Sequence, residues 1–233
     1  PAVEHQAEAV ERYQDARQAY DSCLAILDDL PEPDGGAIDQ LSLRIIRANA
    51  TAYLAGILRI LGKQSDSLAA FSDAIKQLRD LAAGQLEDDS IQFDLARCLT
   101  HYGSALRDYE NNEQAVEVLS ESLQMGEQIL QRAPEDPHRI SWQVFSLYAY
   151  ALLDRKMERF EEGLEKLRSC ERLLQTLIRD YPSVYDYQFK LAASLVQEIF
   201  FLYRLNDAAA AMTVWERFCH HLDSSVARFP NDL

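Results

Sequence analysis

Arginine recurs at one position of a repeated sequence pattern, and its chemistry there is well defined. Arg59, Arg107 and Arg155 are spaced by 48 residues, and the next position in this series is Tyr203. A guanidinium group donates several hydrogen bonds in a planar fork that matches a carboxylate. In a protein of net charge −15, such a column predicts a surface that binds an acidic group of a partner. The alternative is that each arginine pairs with an acidic residue of a neighbouring helix, such as Asp108.

Other residues with chemical potential do not assemble into a catalytic or metal site. The sequence has no protein-kinase motif, Walker loop, GxSxG or HExxH. His101 has no acid or nucleophile at a useful spacing and is expected to pack or to line a surface. Glu216 and His220 can share a helix face, but His221 points about 100° away from His220, and two ligands do not make a metal site. We predict no enzyme activity, no metal and no cofactor in this chain.

Composition excludes several classes of partner. The chain is 48% hydrophobic and 26% charged, which is typical of a folded protein. Its acidic balance disfavours nucleic acid and anionic membranes, and no run approaches the roughly 18 apolar residues of a membrane span. Cys23, Cys98, Cys170 and Cys219 show no tight spacing, so we expect reduced, mostly buried thiols and a cytoplasmic protein.

The elements that position these residues are set by an internal repeat. A shift of 48 residues aligns the chain with itself without a gap. One column holds small residues, and the column four positions later holds apolar residues, which places both on one helix face. The two columns are Ala19, Ser67, Ala115, Gly163, Ala211 and Cys23, Phe71, Leu119, Leu167, Trp215. Since neither helix of a pair can bury its apolar face alone, the pattern predicts stacked helix pairs.

About nine helices are predicted, one single helix followed by four pairs. Their expected ranges are Val3–Leu30, Ile38–Leu61 with Ser65–Ala83, Asp89–Glu110 with Glu113–Ala133, Pro137–Met157 with Phe160–Asp180, and Ser183–Leu205 with Ala208–Phe229. A loop is expected at Pro31–Gly36. The residues expected to form caps and turns are Gly62 with Ser65, Asn111-Asn112, Asp136, Ser183 and Asn206-Asp207.

The second pair resembles the tetratricopeptide repeat (TPR). The residues that carry the likeness are Leu99, Tyr102, Gly103 and Leu106 in the first helix, Ala115, Leu119 and Ser122 in the second, and the closing Pro134. A TPR has about 34 residues, so each helix here is about two turns longer, which keeps its buried face inward. The resemblance implies an all-α, right-handed TPR-like superhelical solenoid of antiparallel helix pairs.

A longer phrase is similar to a particular kind of TPR-like repeat. The residues from Leu177 to Ser194 read L-x-x-D-x-P-x-V-x-x-Y-x-x-x-L-A-x-S. This resembles the 48-residue repeats appended to bacterial serine/threonine protein kinases and some sigma factors. The resemblance implies a bacterial signalling protein whose catalytic domain would lie outside this chain.

One repeat domain is expected over residues 1–233. Its units are about 1–36 (a half repeat), 37–84, 85–132, 133–180 and 181–229. Met212, Trp215, Phe218 and Leu222 lie at helical spacing in the last helix, which predicts an apolar face there. We therefore expect a segment of a longer protein, with self-association through the C-terminal end as a further expectation.

The binding surface follows from the resemblance, because the first helices of TPR pairs line the concave face. The residues expected there are Asn49, Arg59, Arg97, Arg107, Tyr148, Arg155 and Tyr203. The favoured function is a non-enzymatic protein–protein interaction or scaffold module that binds a peptide or partner domain, with acidic groups on the partner. The alternative is a sensor that holds a small anionic ligand in the groove. A closed pocket at the arginine column would favour the sensor, and an open surface would favour the peptide.

Overall fold

The computed structural model describes residues 2–29, 40–84 and 88–229 of the chain. These residues form helices joined by turns, with no strand among them, so the all-α expectation is confirmed. The helices described are α1 (Ala2–Asp29), α2 (Gln40–Ile60), α3 (Gln64–Gly84), α4 (Asp89–Asp108), α5 (Asn112–Arg132), α6 (Pro137–Lys156), α7 (Phe160–Asp180), α8 (Tyr185–Arg204) and α9 (Ala208–Arg228). We call α2, α4, α6 and α8 first helices, and α1, α3, α5, α7 and α9 second helices.

The predicted helix ends agree with the structure to within two residues wherever it describes them. The apolar period of 3.6 residues identifies the helical segments, and the 48-residue repeat indicates where corresponding helices begin and end. The predicted loop Pro31–Gly36 lies outside the described residues, as do the predicted ends Leu30 and Ile38.

Every first helix ends in the same left-handed turn. The residues with positive φ are Gly62 (70°), Glu110 (67°), Glu158 (57°) and Asn206 (59°), one every 48 residues. After each of them, the next backbone N–H donates to the carbonyl five residues back, at 2.9–3.0 Å. This bond satisfies a carbonyl that the helix end would otherwise leave open. At the turn predicted for Asn111-Asn112, Asn111 lies directly after the left-handed Glu110, and Asn112 begins α5.

The starts of the first helices in the last two pairs differ from each other. Asp136 caps α6, as predicted, because its carboxylate accepts hydrogen bonds from two backbone N–H groups at 2.9 and 3.3 Å. The prediction that Ser183 starts α8 is wrong. Helix α8 begins at Tyr185, and the preceding Val184 is extended and forms no side-chain cap. The backbone N–H of Val184 bonds to the carbonyl of Tyr181 at 3.2 Å, so a turn occupies the predicted cap position.

The helices form two compact units, Pro1–Val118 (the N-terminal unit) and Leu119–Leu233 (the C-terminal unit), with the boundary inside α5. In the N-terminal unit α2 contacts α1, α3 and α4, and α3 also contacts α4. In the C-terminal unit α7 contacts α6 and α8, α9 contacts α8, and α6 contacts α8. Within each unit, successive first helices are therefore neighbours. The single repeat domain expected over 1–233 stays a prediction.

The small column lies where two helices approach each other closely. Gly163 in α7 is buried, and a Cβ added to it would lie 2.3 Å from Cε2 of Phe201 and 3.1 Å from Cβ of Asp154. In the N-terminal unit the same column holds Ser67, which is fully buried and donates a hydrogen bond to the carbonyl of Ala55 at 2.8 Å. The crossing therefore has no room for a larger side chain.

The neighbouring apolar column is half-buried at Cys23 in α1, buried in α3, α5 and α7, and exposed in α9. Phe71 and Leu119 are 0% exposed and Leu167 is 1% exposed. Trp215, in the same column of α9, is 49% exposed. Identical positions in the repeat thus have different surroundings in the described residues.

Two glycine-to-alanine substitutions test the close crossing. Gly163→Ala should lower the free energy of unfolding by about 1–3 kcal/mol, because the new methyl group overlaps the buried ring of Phe201. Gly56→Ala should raise it by about 0.5–1 kcal/mol, since nothing lies within 4 Å of the added Cβ and alanine favours the helix. Urea unfolding followed by circular dichroism measures both. Equal effects of the two changes would contradict this account of the crossing.

Candidate binding surface

A polar network joins the first helices of the N-terminal unit. Nη2 of Arg97 donates hydrogen bonds to Oδ1 of Asn49 at 2.9 Å and Oδ1 of Asp94 at 3.1 Å. Nδ2 of Asn49 donates to Oδ2 of Asp94 at 2.7 Å. Nη1 of Arg97 donates to the hydroxyl of Tyr53, and the guanidinium carbon lies 4.8 Å from the centre of that ring. The network fixes the direction of the Arg97 guanidinium group.

Sequence reasoning named two members of this network and missed two. Asn49 and Arg97 lie 48 residues apart, and the structure brings them into contact. Asp94 and Tyr53 were not predicted. A signal for Asp94 was present, because it lies three residues before Arg97 and shares its helix face.

Two arginines of the repeated column share one carboxylate. Oδ1 of Asp108 accepts from Nη2 and Nε of Arg107 at 2.8 and 3.1 Å. Oδ2 of Asp108 lies 3.4 Å from Nη1 of Arg59. For these two arginines the structure shows the internal ion pairing that the sequence left as an alternative.

His101 and Cys98 lie beside the network and hold no charge at neutral pH. Burial, and then the charges of Arg59 and Arg97, lower the pKa of His101 to about 4. Burial raises the pKa of Cys98 to about 12. The adjoining cavity has a volume of about 10 Å³, room for about one water molecule. A neutral imidazole and a protonated thiol in so small a space support neither acid–base nor nucleophilic chemistry at pH 7.

The C-terminal unit places the third arginine in a different environment. Nη1 of Arg155 donates to Oε1 of Gln197 at 2.9 Å, and its guanidinium carbon lies 5.3 Å from the centre of the Phe200 ring. Both partners are on α8 and both are neutral. Arg155 is exposed, and no carboxylate of the described residues pairs with it. Its charge is therefore held in place without being neutralised.

Apolar side chains run along α8 near Arg155. Phe189, Val196 and Tyr203 are spaced by seven residues and are 59%, 44% and 71% exposed. Seven residues are close to two helical turns, so these side chains form one stripe. Tyr148 on α6 differs, because it is half-buried and packs against the core of the unit. Of the two tyrosines predicted for the surface, Tyr203 is the more exposed.

A buried ion cluster lies between α6 and α7 and was not predicted. Asp154 is 1% exposed and lies 2.6 Å from Arg159 and 2.8 Å from Lys166. Burial raises the pKa of Asp154, against the opposing effect of both cations. Its column otherwise holds Leu58, Leu106 and Leu202. A single acid in an apolar column was the signal that could have revealed this cluster.

The residues considered as metal ligands are not gathered. Nε2 of His221 lies 2.9 Å from the carbonyl oxygen of Gln188, while Glu216 and His220 are exposed on other parts of α9. In residues 2–29, 40–84 and 88–229 no three His, Cys, Asp or Glu side chains are placed to hold a metal ion. In the same ranges no helix is both long enough and apolar enough to cross a membrane.

Comparisons with known proteins address the fold. No protein-family model matches the sequence, and no curated protein matches it. The solved structure of BtubC (BKLC) from P. vanneervenii is similar over 91% of this chain and 74% of its own, with 13% identity and a TM-score of 0.68. A putative kinesin light chain from Podosopora anserina with nearly identical TPR-like repeats is similar over 96% of both chains, with 15% identity and a TM-score of 0.60. The chain has a TPR-like repeat fold.

The TPR-like likeness is coarser than the sequence prediction. At identities of 13% and 15%, the likeness to these structures shows the architecture alone. The binding face of this TPR-like chain must therefore be inferred from its own residues. The likeness to the 48-residue repeats of bacterial kinases stays a prediction.

The titration of His101 gives a test of the network. With a pKa of about 4 in the folded TPR-like chain and about 6.5 when unfolded, only the unfolded chain binds this proton between those pH values. The contribution of the neutral His101 side chain to the free energy of unfolding is therefore fully present above pH 6.5 and falls as the pH approaches 4. Between pH 7 and pH 5 the free energy of unfolding of the wild type should fall by about 2 kcal/mol more than that of His101→Gln. Urea midpoints at both pH values measure this, and parallel losses would contradict it.

Proposed function

We propose that this chain is a non-enzymatic interaction module whose first helices bind a peptide or partner domain that carries a carboxylate. The TPR-like repeat fold supports a scaffold role, since such repeats generally mediate protein–protein interactions. The observation that carries the proposal is Arg155, an exposed cation with neutral partners. A signalling role and a bacterial setting belong to the proposal and rest on the sequence resemblance alone. A cytoplasmic setting also belongs to it and rests on the spacing of the four cysteines.

Arg155 is prepared to accept an acidic group. Gln197 and the ring of Phe200 hold the guanidinium group, so little side-chain freedom is lost when a partner binds. A carboxylate can then form charge-assisted hydrogen bonds without displacing an internal acid. Arg59 and Arg107 would first have to break their interactions with Asp108 before they could bind a carboxylate of the partner. Arg155 is therefore the stronger anchor.

The exposed stripe on α8 defines the rest of the preferred partner. Phe189, Val196 and Tyr203 offer apolar area at three successive points along the helix. Aromatic residues and arginine are enriched at protein interfaces because they combine apolar area with polar contacts. A segment with an acidic residue flanked by apolar residues matches both features.

The size of the cavity beside Arg97 favours a peptide over a small ligand. Its volume is about 10 Å³, while pockets for small molecules have about 300–1,000 Å³. A larger cavity of about 630 Å³ lies elsewhere, lined by α1 residues, such as Arg17, and by the α2–α3 turn near Lys63. The cavity beside Arg97 is thus too small to hold a metabolite.

A peptide-display selection tests the proposal. Peptides selected on the wild-type protein should contain Asp or Glu next to apolar residues. The same peptides should bind the Arg155→Glu variant at least about tenfold more weakly, because a negative charge that repels their acidic residue replaces the anchor. Fluorescence polarisation with labelled peptides measures the affinities.

The matched control is Arg172→Glu, the same change of charge at an exposed arginine on the second helix α7. It should leave the affinities unchanged. The double variant that combines Arg107→Glu with Arg155→Glu should bind the selected peptides no more tightly than the single variant Arg155→Glu. Selected peptides without an acidic residue, or equal losses in Arg155→Glu and Arg172→Glu, would exclude the proposed surface.

A further inference from the structure

Two arginines of the C-terminal unit lie against one aromatic ring. The guanidinium carbons of Arg155 on α6 and Arg204 on α8 lie 5.3 and 5.9 Å from the centre of the Phe200 ring. The guanidinium carbon of Arg204 also lies 4.5 Å from the centre of the Phe160 ring. Both arginines are exposed, and stacking on a ring restricts the movement of a guanidinium group. We call Arg155 and Arg204 the arginine pair.

The N-terminal unit has an acid where the arginine pair has its second cation. In the 48-residue repeat, Arg155 is equivalent to Arg59, and Arg204 is equivalent to Asp108. Arg59 lies close to the carboxylate of Asp108, which also accepts hydrogen bonds from Arg107. The anion that faces Arg59 within the chain is therefore replaced by a positive charge in the C-terminal unit.

Among the described residues, one carboxylate pairs with the arginine pair, and it does so from an exposed position. Nη2 of Arg204 donates to Oε1 of Glu158 at 3.1 Å, and the two side chains are 40% and 71% exposed. An ion pair so open to water is weak. A guanidinium group carries several N–H donors, so this bond leaves Arg204 able to hold a second anion. The printed partner of Arg155 is the neutral Gln197.

The geometry at Asp108 indicates which kind of anion can serve two arginines on adjacent helices. One carboxylate oxygen lies 2.8 and 3.1 Å from two nitrogens of Arg107, whereas the other lies 3.4 Å from Arg59 across the helices. The contact across the helices is longer than a typical hydrogen bond. A phosphoryl group has three acceptor oxygens and nearly twice the charge of a carboxylate at pH 7. It can therefore form short bonds to a guanidinium group on each helix.

We propose that the arginine pair binds the phosphoryl group of a phosphorylated side chain in the partner peptide. The inference rests on the function proposed above and assigns the chemistry of the acidic group that Arg155 binds. Arg155 and Arg204 each donate to oxygens of this group, and a carboxylate at the same point is the weaker ligand. Association then depends on whether the partner is phosphorylated.

Charge and exposure favour one phosphoryl group on a peptide over other phosphorylated molecules. The chain has a net charge of −15, which opposes binding of the repeated phosphates of a nucleic acid or an anionic membrane. The arginine pair is exposed on the surface of two first helices, whereas small molecules are generally held in concave pockets. A peptide can also contact the exposed apolar residues Val196 and Tyr203 on α8.

Degenerate peptide pools test the proposal without a known partner. Three labelled synthetic pools carry phosphoserine, glutamate or serine at a fixed central position, flanked by random residues other than Ser, Thr, Asp and Glu. Fluorescence polarisation measures the binding of each pool to the wild-type protein. The phosphoserine pool should bind at least about fivefold more tightly than the glutamate pool, because it pairs with both arginines. The serine pool should bind most weakly.

Substitutions separate the roles of the two arginines. Arg204→Gln should abolish the preference for phosphoserine and leave the affinity of the glutamate pool within about threefold, since Arg155 remains. Arg204→Lys keeps the charge without the planar fork and should retain only part of the preference. Arg155→Gln should weaken the binding of both pools at least about fivefold. Circular dichroism checks that each variant keeps its helices.

The matched control is Arg172→Gln, which removes an exposed arginine with a neutral partner on α7. It should leave the affinities of the phosphoserine and glutamate pools unchanged. Glu158→Gln should strengthen the binding of the phosphoserine pool about two- to threefold, because it removes the carboxylate that competes for Arg204. Glu165→Gln, the same change at an exposed site on α7, should have no effect.

Three results would overturn this inference and leave the proposed function intact. The first is a phosphoserine pool that binds no more tightly than the glutamate pool. The second is a preference for phosphoserine that persists in Arg204→Gln. The third is displacement of the phosphoserine pool by inorganic phosphate at equal concentration, which would assign the arginine pair to a free phosphate ligand. Binding of no pool, or binding that Arg155→Gln leaves unchanged, would overturn both the inference and the proposed function.

Discussion

The close approach of second helices to the first helices beside them is the constraint on which the rest of this structure depends. A helix packed on both sides can approach its neighbours only as far as its side chains allow. Gly163 and the buried ring of Phe201 occupy one such crossing, where no additional carbon atom could be accommodated. The equivalent positions of the N-terminal unit hold Ser67 and Ala105, both fully buried. A smaller residue on one helix thus accompanies a larger one on the other.

The turns that end the first helices preserve this spacing. The same left-handed residue and the same backbone hydrogen bond recur every 48 residues, so the chain reverses in the same way each time. Glycine and asparagine reach this conformation readily, whereas glutamate does so at a cost on the order of 1 kcal/mol. That two glutamates accept it shows that packing, rather than local preference, determines the turn. It also explains why the sequence prediction named the left-handed residues Gly62 and Asn206, named Asn111 instead of its neighbour Glu110 at the second turn, and did not name Glu158.

The sequence predicts the fold well because two regularities act together. The helical period identifies which residues are buried, and the 48-residue repeat confirms each assignment several times over. The candidate site is predicted less completely. Asn49 and Arg97 share a column, so they could be found, but the pairing of Arg155 with Gln197 depends on how two helices lie side by side. For the same reason, sequence could not decide between internal pairing and partner binding. Arg59 and Arg155 occupy one column, yet only Arg59 has an acid within reach.

The matched sizes at the helix crossings also limit how such a chain can change by recombination. Repeats of equal length and phase look interchangeable, and an exchange of whole repeats would keep every turn in place. An exchange that brought the serine of α3 opposite Phe201 would nevertheless put extra atoms where only glycine is accommodated. The order of the repeats is therefore encoded in pairs of neighbouring side chains. Duplication can lengthen such a chain easily, but shuffling its parts requires compensating substitutions at each new junction.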